Sequence, residues 1–163
     1  MKTEGLNILI VDADKAAGEE LKKFLEKRFG NRIHISAFTD GKSCLEEVES
    51  DTHLVILTCS PDDKQGLELL KAIKTENSLT EVVMLSERNS IALAIESYEA
   101  GAKSIIVKDE NAKNKVHTLI SDIFMAPIRI IVKELGLSQR LAMFLMSFLT
   151  IGLIVLIYSI VKH

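Results

Sequence analysis

Four short apolar runs recur along the first two thirds of the chain, each followed by a stretch with helical spacing. "LNILIV" (6–11), "HLVILT" (53–58), "EVVMLS" (81–86) and "KSIIVK" (103–108) contain too little polar alternation for a sheet with one wet face. Continuous apolar strands of this kind are buried on both faces, which requires helices above and below the sheet. A fifth strand, "RIHISAF" (32–38), alternates instead, with Ile33, Ile35 and Ala37 on one side, and reads as an edge. Between the strands, Ala17, Leu21, Phe24, Leu25 and Phe29 mark one helix, and Cys44, Leu45 and Val48 a second. Leu67, Leu70 and Ile73 mark a third helix, 90–99 forms a fourth, and Val116, Leu119, Ile120 and Ile123 mark a fifth. Five strand–helix repeats imply an α/β doubly wound parallel sheet. Such a sheet gathers its functional groups at the carboxyl tips of the strands, here Asp12, Thr58, Ser86 and Lys108.

The end of the chain obeys a different rule. Leu141 to Val161 is 21 residues without a charge, long enough as a helix to span about 31 Å, the hydrocarbon thickness of a bilayer. Ser147, Thr150 and Gly152 lie within it and suit close helix contacts. Arg129, Lys133 and Arg140 precede this run, and only Lys162 and His163 follow it. The positive-inside bias then places the N-terminal domain in the cytoplasm, on a single-pass anchor in the inner, or cytoplasmic, membrane. Residues 125–140 contain Ile128, Ile131, Val132 and Leu135 at helical spacing, with Pro127 suited to the first turn of a new helix. They fit either an amphipathic juxtamembrane helix or a helical extension packed on the domain. The expected organisation is thus a domain over 1–124, this segment over 125–140, and a transmembrane helix over 141–161.

Charge divides in the same place. Residues 1–124 carry 16 Lys/Arg against 22 Asp/Glu, and the remainder four against one. An acidic domain, in a chain with 5% aromatic residues and no Trp, argues against both phosphate-backbone binding and base stacking, so no nucleic-acid partner is expected. Cys44 and Cys59 show no paired spacing, and the four histidines are scattered; neither a disulfide nor a metal site is expected from them.

Together the strand tips carry a family resemblance. "ILIVDAD", "GLELLKAIK", "VVMLSERNS" and "YEAGAKSIIVKD" resemble, in order, the first strand, third helix, fourth strand and lysine-bearing fifth strand of response-regulator receiver domains. The resemblance covers about residues 5–124. It implies a flavodoxin-like (βα)5 fold of strand order 2-1-3-4-5. It also implies a pocket in which acidic residues hold Mg²⁺ and an Asp at the third strand's tip accepts a phosphoryl group from a sensor kinase. In that pocket a hydroxyl on strand four and a lysine on strand five contact the phosphoryl oxygens.

Asp12, Ser86 and Lys108 match that pattern. Ala13 stands where a second acid belongs, Thr58 where the acceptor Asp belongs, Ile105 where an aromatic switch residue belongs, and Asp109 where a proline follows the lysine. A threonine hydroxyl cannot form the mixed anhydride that a carboxylate forms. Losing a direct carboxylate also weakens an octahedral Mg²⁺ site. The expectation is a degenerate pocket with no catalytic residue, no cofactor and no metal. Lys108 would either neutralise Asp12 or take part in residual ion binding. The chain would then be a phosphorylation-independent interaction module whose partners are a membrane protein or a cytoplasmic signalling protein, besides the bilayer itself. No output domain is expected after the receiver. The alternatives are an accessory subunit of a membrane complex, or a live receiver using Asp62 or Asp63. In receivers the face of helix four, strand five and helix five commonly binds partners. Tyr98, Lys103, Ile105, Lys113 and the stretch 111–115 would lie on or near it, with Ile105 unable to switch.

Overall fold

The computed structural model describes residues 5–60 and 64–134, with side chains as far as Met125. Five strands, β1 (Leu6–Val11), β2 (Ile33–Phe38), β3 (Thr52–Cys59), β4 (Glu81–Ser86) and β5 (Ser104–Val107), form one parallel sheet in the order β2-β1-β3-β4-β5. The helices are α1 (Lys15–Phe29), α2 (Gly41–Glu46), α3 (Lys64–Glu76), α4 (Ile91–Glu99) and α5 (Ala112–Glu134), with a 3₁₀ turn at Gly30–Arg32 before β2. This is the flavodoxin-like arrangement that the apolar runs and the resemblance imply.

The continuous apolar strands fill both faces of the sheet because their side chains alternate. On one face Leu9, Val11, Val55, Leu57, Val82 and Met84 pack with Cys44 of α2, Leu70 and Ile73 of α3 and Leu93 of α4. On the other, Ile8, Ile10, Leu54, Ile56 and Val83 are fully buried or nearly so, as is Leu25 of α1. Leu21 of α1, Leu85 of β4 and Val116 of α5 line one cleft there. β2 has the expected edge pattern, with Ile33 and Ile35 buried between exposed His34 and Ser36.

Local chemistry sets the element ends. Asp14 caps α1 by accepting from the Ala16 and Ala17 amides, Asp40 caps α2 through Ser43, and Ser90 caps α4 through Leu93. α2 is shorter than expected, so Val48 is buried from the segment after it. A Cβ on Gly66 would meet the Cys59 Cβ at 2.7 Å, so α3 can approach the tip of β3 only with glycine there.

At the far end of the sheet, Thr80 Oγ1 donates to the Thr52 carbonyl and Asn77 Nδ2 to the Glu49 carbonyl. These bonds join the turn before β3 to the turn before β4.

One expectation needs correction. Pro127 does not open a new helix, because α5 runs without interruption from Ala112 to Glu134. An internal proline removes one backbone hydrogen bond, and the helix-compatible residues on either side carry the helix through it. The chain divides into two compact units, Met1–His117 and Thr118–His163, with the division inside α5. Among the described residues no helix is long and apolar enough to cross a membrane. The expected span, including Leu141, Gly152 and Val161, lies outside the described residues, as do Asp62 and Asp63.

Candidate functional site: a strand-tip pocket around Asp12

β1 and β3 are neighbours with Val11 opposite Leu57, so Asp12 and Thr58 emerge side by side at their carboxyl ends. β5 lies two strands beyond β3, and only a long side chain reaches back across that distance. Lys108, just past the end of β5, does so. Its Nζ lies 2.7 Å from Asp12 Oδ2, and Thr58 Oγ1 donates to the same oxygen at 3.0 Å. The other carboxylate oxygen, Oδ1, accepts from the Asp14 backbone amide at 3.0 Å. The Asp12 side chain is 7% exposed and that of Lys108 34%. Both carboxylate oxygens are therefore held by donors of the chain itself. A buried charge survives in a fold when it is paired and hydrogen-bonded in this way.

The remaining pocket residues turn elsewhere. Ser86 is buried, and its Oγ donates to the Arg88 carbonyl at 2.6 Å, pinning the loop between β4 and α4. Ala13 is exposed and has no ligand atom. Asp14, whose reach the sequence leaves open, spends its carboxylate on the α1 cap. Asp109 accepts from the Asn111 amide and from Lys115 Nζ, which holds its carboxyl below the ordinary value of 3.8, the Lys115 hydrogen bond being the largest cause. That role at the start of α5 is invisible in the sequence, where Asp109 registers only as a missing proline.

Receivers that are phosphorylated bind Mg²⁺ at this place. Octahedral coordination needs oxygens free to approach the ion. Here Ala13 stands in place of one acid of the usual pair, Asp12 is committed to Lys108, Thr58 and the Asp14 amide, and Asp14 caps a helix. Among the described residues no three His, Cys, Asp or Glu side chains cluster as a metal site. Among the described residues the donors of this pocket do not fit the ion. Cys44, buried beneath α2, has its thiol pushed up to about 12 by burial and is a packing residue.

The residues expected on the partner face have local partners of their own or lie exposed. Lys103, just before β5, pairs with Glu81 at 3.0 Å, at the amino end of the strands. Lys113, at the other end of β5, pairs with Glu20 of α1 instead of turning toward α4. The first turn of α5 is rotated so that this lysine closes the α1 side. Ile105 is half-buried against the core, and Tyr98 is exposed on α4. The sequence reading named Tyr98 but missed its companions Ile91 and Ile95, also exposed. Their spacing at i, i+4 and i+7 was the available signal.

The comparisons agree with this architecture. The chain matches the response regulator receiver domain family over residues 8–121. It is 30% identical over 115 residues to the transcriptional regulatory protein YdfI of Bacillus subtilis, covering 69% of this chain and 52% of that protein. It is 28% identical over 105 residues to the transcriptional regulatory protein MalR of the same organism, covering 63% and 44% respectively. The chain thus spans about half the length of these curated relatives.

Among solved structures, a response regulator receiver protein from Pseudoalteromonas atlantica superposes with a TM-score of 0.63 at 21% identity, covering 74% of this chain and 98% of that one. A receiver domain protein from Methanospirillum hungatei gives 0.61 at 25% identity, covering 72% and 93%. A five-stranded sheet in this order, with Asp12, Thr58, Ser86 and Lys108 at its tips, is a receiver-type α/β domain. The chain belongs to the response regulator receiver family.

Proposed function

We propose that the chain is a pseudo-receiver, a regulatory or protein-interaction module that works without aspartyl phosphorylation and is held at the cytoplasmic membrane by residues 141–161. The observation that carries this reading is the closed network at Asp12. Lys108 and Thr58 hold one carboxylate oxygen and the Asp14 amide the other, where a phosphorylatable receiver needs a metal and an acceptor carboxylate. Thr58 offers a hydroxyl in place of that carboxylate, and a phosphorylated hydroxyl is a phosphate ester, never an acyl phosphate. The domain then acts by docking rather than by chemistry, with a membrane or cytoplasmic signalling protein as partner and no catalytic or nucleic-acid-binding role. The charge-free run and its basic flank support the anchored topology. An accessory subunit of a larger membrane assembly is the same reading with a permanent partner.

Membership of a family that signals by phosphorylation favours a second reading, a live receiver using Asp62 or Asp63. The two separate cleanly by experiment. The full chain incubated with acetyl phosphate or beryllium fluoride and Mg²⁺ is expected to keep its intact mass and its amide spectrum. A stoichiometric mass gain mapped to Asp62 or Asp63 would replace the first reading with the second. For the anchor, the full chain is expected to stay in the membrane pellet through carbonate extraction. Its release would remove the membrane from the proposal.

A further inference from the structure

A second crevice opens at the carboxyl ends of the strands, on the β2 side of Asp12. α1 leaves β1 toward one face of the sheet and α2 leaves β2 toward the other, so these neighbouring strands diverge above their tips. Open α/β sheets hold their ligands in crevices of this kind. The cleft has a volume of about 300 Å³ and is lined by Lys15, Gly18 and Glu19 of α1 together with Phe38 and Asp40. Gly18 is buried in the interior of α1, where alanine is the better helix former. Beyond the backbone of its own helix, a Cβ there would meet only the Asp12 Cβ, at an ordinary 3.5 Å. Packing does not require the glycine, and its missing side chain leaves a recess in the cleft wall. The charges around this recess are unused as well. Lys15 and Glu19 stand four residues apart, where an ion pair can close along a helix. Neither side chain has a hydrogen bond or ion pair with another described residue. Glu19 is half-buried, so its carboxylate loses water without a compensating partner. Asp40 is held by the Ser43 amide and hydroxyl and stays charged.

We propose that this cleft binds a free α-amino acid with an apolar side chain. The ligand's ammonium lies between Glu19 and Asp40, its carboxylate meets Lys15, and its side chain rests against Phe38 and in the Gly18 recess. Three charges of the lining decide the class. A phosphate or a dicarboxylate would face two carboxylates for one ammonium. An organic cation would leave Lys15 opposed by like charge. A zwitterion complements all three groups at once, and each ligand charge then has a partner whose loss is felt. The volume stands at the lower end of the roughly 300–1,000 Å³ of small-molecule pockets, which suits an amino acid better than a nucleotide. Asp12 takes no part, because both of its oxygens are held by Lys108, Thr58 and the Asp14 amide. The site goes beyond the functional reading above by giving the domain a small-molecule input that needs neither a metal nor phosphoryl transfer.

Amide NMR of the isotope-labelled full chain in mild detergent, titrated with L-leucine as the probe, tests the site. Saturable shifts centred on Gly18, Phe38 and Asp40 are expected. Isoamylamine lacks the carboxylate and isocaproate lacks the ammonium, and each should bind about tenfold more weakly or worse. Lys15→Met and Glu19→Gln should each raise Kd about fivefold or more. Lys27→Met, which removes the same charge from the last turn of α1, should leave Kd unchanged. Gly18→Leu fills the recess and is expected to abolish binding. Gly18→Ala keeps the fold, since its Cβ sits at an ordinary contact distance. It should raise the denaturation midpoint through helix propensity while weakening binding about threefold. Shifts that stay linear in L-leucine, or that scatter over the surface, would overturn the site. Isoamylamine binding as tightly as L-leucine would assign the cleft to organic cations and overturn the zwitterion. Undiminished binding to a folded Gly18→Leu variant, or to Gly18→Ala, would place the ligand elsewhere and overturn the proposal too.

Discussion

The Asp12 pocket and the outer face of α4 lie in the same domain and are finished to opposite standards. In the pocket every polar atom of a buried carboxylate has a donor from the chain, so nothing further is needed to stabilise it. On α4 three large apolar residues face solvent, and a buried hydroxyl goes without a partner. The domain satisfies its strand-tip carboxylate internally and leaves apolar surface outside. Satisfied groups resist change, and unsatisfied ones invite a partner.

Removing the cation from the pocket gives the largest expected effect. Lys108→Met leaves the Asp12 carboxylate buried without its counter-charge. Its cost should be about 2–3 kcal/mol by chemical denaturation, at the low end for a broken buried pair because Lys108 is one-third exposed. The double variant Asp12→Asn, Lys108→Met should recover most of that loss. A neutral result for the single variant would show that the pocket is not self-stabilised. Next comes Thr58→Val, which keeps the shape and removes one donor to Asp12, for a loss of about 1 kcal/mol read by the same titration.

The sign reverses on α4. Ser97→Ala deletes a buried hydroxyl that has no partner, so the domain should gain about 0.5–1 kcal/mol. A loss there would erase the contrast between the two regions. The smallest effect is in pH. Asp40 has its carboxyl held below 3.8, first by the Ser43 backbone amide. Its folded-state value lies below its unfolded one, so its contribution is present above 3.8 and fades as pH falls through the folded value. Carboxylate NMR titration should show Asp40 losing its proton at a pH below its ordinary value of 3.8, and Ser43→Pro should abolish the offset.

The sequence was legible where one physical rule dominates. "LNILIV" gives β1 to the residue, because a strand buried on both faces leaves no other way to place five apolar residues in a run of six. The meeting of Lys108 with Asp12 was readable as one of two options once the strand order was implied, since both belong to carboxyl tips. Side-chain direction within the helices was harder. Lys103 and Lys113 are ten residues apart and seem to share a face, yet β5 separates them end to end and each finds an acid of its own. "IALAIESYE" was opaque for a related reason. Its larger apolar stripe would ordinarily mark the buried side, and the structure buries Leu93 and Ser97 instead. Periodicity identifies two faces of a helix, while the packing partners decide which one turns inward.

The strand order also sets a timetable for synthesis. Of the five strands of the sheet β1 leaves the ribosome before the others, yet it sits between β2 and β3, and its Ile8 and Ile10 are buried almost completely only in the finished sheet. β2 can cover one side of it early, but β3 ends at Cys59, about twenty residues after the end of β2. At about 5–20 residues per second, the inner edge of β1 stays open for about 1–4 s of translation. During that interval the nascent chain presents an apolar, unpaired strand edge, so the early β1–α1–β2 unit is the stage at which a nascent-chain chaperone has the most to protect.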